Sequence, residues 1–356
     1  MKQNCTDQLE ARLGRHLRFY KGLTETYLVN PAQGQPALDT HDEVLRLICA
    51  LKSMPDRPRQ EVVRACFNIQ AGNSGSSTSD QERALDIAVR VMIMMNSRTH
   101  GFSPGILESG GYQSGWVHGH SLAQFIESSF PGTNPQTWDQ MQAADDDTIS
   151  AITAQRLVKR ARLSFEPTDD LRKHLELDRK SGTVSIFHHA AFLKEHLKLT
   201  KGLPMDMTVS DQLRRGAIPR SLALETLVSI QEVLFPHDDT KSRDILRNLV
   251  DLKDFDPECL LFDFSTIREE DEHHVESRHF GARLMALRDE LESPTPRGFL
   301  EEWLQRKSGA RHIMMATLIG VLVAVLLGFL SLGVAIFQAY VAYQDWKDHG
   351  SGRPVV

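Results

Sequence analysis

The sequence predicts a mainly α protein: a helical body carrying one small β-hairpin, followed by a C-terminal transmembrane helix. Three observations lead there. Apolar residues recur at helical spacing behind capping residues through most of the chain. Only one stretch has the alternating, β-branched look of paired strands, residues 175–178 and 183–187 around a Lys-Ser-Gly turn. Finally, residues 313–344 form a run of 32 without Asp, Glu, Lys or Arg.

Residues 7–28 read as the first helix. Thr40-His41-Asp42-Glu43 is a capping box, in which the hydroxyl and the carboxylate each cover a free backbone N–H. It opens a helix with Val44, Leu45, Leu47, Ile48 and Leu51. Pro58 suits the first turn of a third helix running to about Gln70, because proline lacks the N–H that would be unpaired there. Ser79-Asp80-Gln81-Glu82 is read as a second capping box, before Ala84, Leu85, Ile87, Ala88, Val91, Met92 and Met95. The Met92 to Met95 cluster is assigned to the core.

Residues 99–119 are glycine-rich and 131–138 form another loop, so a soft boundary is placed at 131–147. Helix resumes at 148–162. A short helix then leads into the hairpin, and a helix with Ala190, Phe192, Leu193 and Leu197 closes that unit. Further helices cover 220–234, 240–252 and 277–291, before Ser293-Pro-Thr-Pro breaks the chain. The expected organisation is an N-terminal helical region (1–147), a helical region with the hairpin (148–293), a juxtamembrane linker with an amphipathic helix (294–312), the span (313–339) and a short tail (340–356). In the linker, Phe299, Leu300, Trp303 and Leu304 share one face, suited to a membrane surface or to packing on the body.

Composition narrows the function classes. The net charge is −6. A mildly acidic body has no broad electrostatic reason to hold nucleic acid, so no nucleic-acid partner is expected. Cys5, Cys49, Cys66 and Cys259 form no C-x-x-C pair, which suits a reducing cytosol and neither a disulfide framework nor a zinc site. The first 15 residues, MKQNCTDQLEARLGR, contain no apolar core, so no signal peptide is expected.

The span is the strongest signal. Between Ile313 and Phe337, 15 of 25 residues are Leu, Ile, Val or Phe. At roughly −0.3 to −0.6 kcal/mol each near the bilayer centre, they favour insertion by about 4.5 to 9 kcal/mol. Arg306, Lys307, Arg311 and His312 precede the run; Tyr340, Tyr343 and Trp346 follow it, and with Trp303 they are the expected interfacial anchors. Three Lys/Arg flank it on the N-terminal side and two, Lys347 and Arg353, follow, which puts the N-terminal body in the cytosol. With so few residues beyond it, the span reads as a tail anchor. At 1.5 Å per residue, residues 313–339 make about 40 Å of helix against about 30 Å of hydrocarbon. Tilt, projection or a thicker membrane would absorb the excess, and an endoplasmic reticulum or later secretory membrane is expected in preference to the mitochondrial outer membrane.

Ala316, Gly320, Ala324, Gly328, Ser331, Ala335, Ala339 and Ala342 are spaced 4, 4, 4, 3, 4, 4 and 3. That is one small residue per turn, a nearly straight stripe along which another helix could approach closely. The plainer reading is the general abundance of Ala and Gly in membrane helices.

Candidate chemistry is thin. Gly119-His120-Ser121-Leu122-Ala123 resembles the hydrolase nucleophile elbow with Ala in the last place, but no apolar strand precedes it. Ser121 reads more simply as a helix N-cap, and Ser121, His118 and His120 remain only weak catalytic candidates. His188, His189 and His196, and His273, His274 and His279, lie near one another in sequence without the H-E-x-x-H arrangement. No metal or cofactor site is expected, and no phosphate-binding loop is present. The basic run 156–162 is read as a solvated helix face, with anionic lipid headgroups as an alternative contact.

Three stretches carry a family resemblance. Arg156-Leu-Val-Lys-Arg-Ala-Arg-Leu leads through Thr168-Asp-Asp-Leu-Arg-Lys-His-Leu to Ile186-Phe-His-His-Ala-Ala-Phe-Leu. Glu225-Thr-Leu leads through Leu234-Phe-Pro-His-Asp-Asp to Phe255-Asp-Pro. Arg283-Leu leads through Pro296-Arg-Gly and Trp303-Leu to Thr317-Leu-Ile-Gly-Val and Tyr343-Gln-Asp-Trp. Over residues 150–349 the chain resembles a family of filamentous-fungal proteins with a C-terminal membrane span. The resemblance implies a helical body and one span. It brings no activity, cofactor or catalytic residue, and only an association of such genes with secondary-metabolite clusters. The combined expectation is a single-pass membrane protein whose body binds another protein as a scaffold or regulatory factor. Its partners would be the lipid bilayer, another transmembrane helix (a copy of itself or a different one) and a cytosolic protein. The alternative is a membrane-associated enzyme or accessory factor acting on a lipid or apolar metabolite.

Overall fold

A computed structural model describes residues 12–27, 36–68, 76–98, 115–130, 152–204, 207–269, 272, 278–295, 297 and 312–349, with side chains in the last helix described from 320 to 347. The architecture is mainly α with one small sheet. Two units are defined by their contacts, residues up to Thr295 and residues from Pro296 onward.

Helix α1 (Gly14–Glu25) buries Leu23. Helix α2 (His41–Ser53) starts at the Thr40 capping box, where the Glu43 carboxylate accepts from the Thr40 N–H at 3.1 Å. Val44, Leu47 and Leu51 face the core while Leu45 lies exposed, the outcome of a narrow apolar stripe. Helix α3 (Arg59–Asn68) begins directly after Pro58 and buries Val62, Val63 and Phe67.

Helix α4 (Thr78–Ile93) is capped by Ser77, not Ser79. The reason is Asp80, whose buried carboxylate accepts from Tyr27 Oη and from the Ala37 N–H, both at 2.7 Å. The helix therefore starts two residues early, and the Asp80 N–H turns back to Ser77 Oγ at 3.3 Å. Met94 closes α4 in the left-handed conformation, and Met92, Met94 and Met95 are core residues. Helix α5 (Leu122–Ser129) buries Leu122, Ala123, Phe125 and Ile126.

Helix α6 (Ala154–Ala161) is capped by Thr153, ends at left-handed Arg162 and turns Ala154, Leu157 and Ala161 inward. Strands β1 (Ser164–Thr168), β2 (Glu176–Asp178) and β3 (Thr183–Phe187) form a sheet of order β1-β3-β2. The hairpin is β2–β3, antiparallel, turned at Gly182, whose φ of 71° suits glycine. Strand β1 is an addition to the expected hairpin. It pairs in parallel with β3, from Ser164↔Thr183 to Thr168↔Phe187. Pro167 obscures this strand in the sequence, and it is tolerated because β1 is an edge.

Helices α7 (Ala190–Leu199), α8 (Val209–Arg215) and α9 (Arg220–Val228) follow. Helix α9 continues as a π-helical turn, Ser229–Leu234, so the expected helix over 220–234 is continuous but changes its winding. Helix α10 (Thr240–Leu252) is capped by Asp239, whose carboxylate takes the Lys241 and Ser242 N–H groups and Ser242 Oγ. A 3₁₀ turn (Pro257–Leu260), the single turn α11 (Phe264–Ile267) and α12 (Gly281–Glu292) complete this unit.

Core residues from 23 to 291 belong to one cluster, with Trp116, Phe125, Phe187, Phe235, Phe255 and Phe280 fully enclosed. Helices α2 and α5 both pack on α8, so elements before and after residue 147 share contacts. Residues 131–147 themselves lie outside the described residues, as do 298–311 with the expected amphipathic helix and Trp303.

The second unit contains α13 (His312–His349), 38 residues or about 57 Å long. Residues 320–347 have a mean hydropathy of 2.6 over the most apolar window, and none of that window is buried. This helix is long and apolar enough to cross a membrane.

Candidate functional site at the carboxyl ends of two parallel strands

Parallel pairing of β1 with β3 decides which residues meet. Thr168 pairs with Phe187, so the residues that follow, Asp169 on one strand and His188-His189 on the other, leave the sheet side by side. Here Asp169 Oδ1 lies 3.2 Å from His188 Nε2 and 2.7 Å from His189 Nε2. The two imidazoles are stacked obliquely, with centroids 4.3 Å apart. His188 and His189 are buried, whereas the Asp169 side chain is 46% exposed.

The enclosure is aromatic. Phe187 and Phe19 lie 5.5 Å from the His189 ring, and Phe255 lies 5.6 Å from His188. His16 of α1 stands edge-on to His189 at 6.2 Å and stacks on Phe192 at 5.3 Å. The Nδ1 atoms of His16, His188 and His189 are all enclosed, without a hydrogen-bond partner among the described residues. The two histidine bonds hold the Asp169 carboxyl well below the usual carboxylate range. Burial lowers His189, against the pull of Asp169. Burial, with His189 beside it, lowers His16 to about 4.

The sequence singled out His188 and His189 but not Asp169, and took the segment after Thr168 as the start of a short helix. That part is present as a 3₁₀ turn, Leu171–Lys173, capped by Asp170. Asp170 and Arg172 bond to each other and leave Asp169 free to face the histidines. The missing signal was β1: once it is recognised, an Asp just past one strand and a His pair just past its parallel neighbour fall together.

The structure places the other candidates apart. Ser121 Oγ accepts from the Gln124 N–H at 3.2 Å, and Gln124 Oε1 accepts from the Ser121 N–H at 2.9 Å, a capping box at the start of α5. The rings of His118 and His120 are exposed, and no bond joins either to Ser121 Oγ among the described residues. Instead their carbonyls accept from the backbone N–H groups of Gln60 and Arg59. Gly119-His120-Ser121 is therefore a helix start tied to α3, and not a nucleophile turn.

Along α13, Gly320, Ala324, Gly328, Ser331, Ala335 and Ala339 are all exposed, and a Cβ at Gly320 or Gly328 would meet nothing within 4 Å. The side chain of Ala316 is outside the described set. Tyr340, Tyr343 and Trp346 are exposed, Gln344 Nε2 donates to Tyr340 Oη at 2.9 Å, and the Tyr343 and Trp346 rings lie 6.4 Å apart. No protein-family model, no curated protein and no solved structure matches this chain.

Proposed function

We propose that this chain is a single-pass membrane protein whose helical body works from the cytosolic side as an interaction or regulatory factor. The observation that carries this reading is α13, whose residues 320–347 are long and apolar enough to cross a membrane and carry Tyr340, Tyr343 and Trp346 toward their C-terminal end. The Lys/Arg bias toward its N-terminal flank supports a cytosolic body. The resemblance of residues 150–349 to filamentous-fungal membrane proteins supports the same reading, and the small-residue face supports pairing of spans. The enzyme alternative loses its main support, because Ser121 serves as a cap and His118 and His120 point to solvent.

The test is membrane extraction combined with topology mapping of the full chain. We expect the protein to stay with alkali-washed membranes and a glycosylation acceptor appended after Val356 to be modified. Release into the wash, or modification of an acceptor placed in the body instead, overturns the reading. Replacing Gly320, Ala324 and Gly328 together by Leu should weaken self-association in a membrane reporter assay. Unchanged association would remove the role of the stripe.

A further inference from the structure

The geometry points to a divalent transition-metal site formed by Asp169 Oδ1, His188 Nε2 and His189 Nε2. One ligand-type atom from each of the three residues lies within 4.8 Å of the others. Two imidazoles and one carboxylate are a donor set for zinc and its neighbours in the first transition row. They are a poor set for calcium or magnesium, which take oxygen ligands.

The spacing fits. Metal bonds of about 2.0–2.1 Å at tetrahedral angles separate the ligand atoms by about 3.3 Å. The Asp169–His188 pair already stands at 3.2 Å and the Asp169–His189 pair at 2.7 Å, while the two imidazole nitrogens are held only to within 4.8 Å of each other. Rotation of the half-exposed Asp169 side chain and a small turn of the two imidazoles within their aromatic surroundings bring the three atoms to that spacing.

Three protein ligands leave one tetrahedral position open toward the exposed side of Asp169, to be filled by water or by a ligand from a partner. The site also has a built-in weakness. A bound imidazole carries its proton on Nδ1, and among the described residues neither Nδ1 has an acceptor. The buried Asp256 carboxylate, which accepts from the Ala191 N–H at 2.8 Å, helps His189 by its charge only. The metal is therefore held exchangeably, not as a permanent structural ion.

The test uses full-length protein without a histidine tag, solubilised in detergent and stripped with chelator. Zn²⁺ is titrated against a chromophoric chelator, and Co²⁺ is substituted for its visible spectrum. We expect one equivalent per chain and a tetrahedral Co²⁺ spectrum without a thiolate charge-transfer band. Asp169→Asn and His189→Gln should each weaken Zn²⁺ binding at least about tenfold, since losing even an outer-sphere partner costs that much. His237→Gln should leave it unchanged. No uptake, uptake that Asp169→Asn does not weaken, or a thiolate band pointing to the cysteines would each overturn the site. Should either ligand variant fail to fold, the wild-type Co²⁺ spectrum decides alone.

Discussion

Arg220 offers the sharpest test of what holds the body together. Its guanidinium is 2% exposed and uses all five of its N–H donors. Nε and Nη2 grip the Glu272 carboxylate at 2.6 and 2.7 Å. Nη1 reaches the Leu197 carbonyl at 2.6 Å and Thr200 Oγ1 at 3.1 Å, and Nη2 also reaches the Ile267 carbonyl at 2.9 Å. One side chain thus ties α9 to α7, to α11 and to Glu272. Arg220→Met would strand a carboxylate that is 4% exposed, together with two buried carbonyls. Breaking such a pair costs about 3–5 kcal/mol, out of a typical total of about 5–15. At about 3 kcal/mol per molar urea, the upper end of the small-protein range, the unfolding midpoint should fall by about 1–1.7 M. Arg220→Lys keeps the charge but has three donors and no planar fork, so it should recover only part of the loss. The double variant Arg220→Met with Glu272→Leu removes both charges and should be more stable than Arg220→Met alone. The assay is urea unfolding of the full chain in detergent, followed by far-UV circular dichroism. A cost under about 1 kcal/mol for Arg220→Met, or a double variant whose loss equals the sum of the singles, would refute the reasoning.

Other consequences follow from the same contacts. Burial, chiefly, lowers His196 and His279 to about 4. Since the unfolded chain takes up these protons first, the stability they confer is complete above about pH 6.5 and is lost as pH falls through about 4. At about 1.4 kcal/mol per pH unit the loss reaches about 3 kcal/mol for His196 and less for the more open His279; midpoints measured from pH 7 to 4 check this. Burial raises Glu225 to about 7, against the backbone N–H groups of Phe280 and His279, so its contribution has the opposite sign and is lost as pH rises from about 4.5 through 7. Glu225→Gln should therefore steepen the acid loss in the same titration. Ser121→Ala should cost about 1 kcal/mol in urea unfolding, the worth of an N-cap. Leu326→Arg should raise the insertion free energy of α13 by about 3 kcal/mol and shift the protein out of washed membranes.

Local signals were readable where local chemistry decides. Thr40 with Glu43 opens α2, Pro58 stands just before α3, and 32 uncharged residues announce α13. Signals failed where a distant partner decides. Ser77 caps α4 because Tyr27 and Ala37 hold Asp80, and no window around Ser79 contains that information. Strand β1, with Pro167 in it, gains its identity from β3 nineteen residues on, and the Asp169–His188–His189 cluster is legible only after that pairing is known. Lys194 makes the same point. Lysines are rarely buried, yet its Nζ is fully buried between Glu258 Oε2, the carbonyls of Glu258 and Leu261, and Asp263. A lysine there is indistinguishable in sequence from its neighbour Lys198, which bonds Glu195 near the surface.

The buried ties to late segments also set a schedule for synthesis. Lys194 waits for Glu258, Arg220 waits for Glu272, and the Glu225 carboxylate waits for the N–H groups of His279 and Phe280. Helix α12 then lies against α6, far back in the chain. The body therefore cannot reach its final state before residue 292 or so has been made, and α13 begins only 20 residues later, at His312. At about 5–20 residues per second, roughly 1–4 s separate the last body-completing residue from the first of the greasy helix. The ribosome thus delivers an unfinished body and an apolar segment almost together. Any factor that shields the nascent helix must do so while the helical body is still closing.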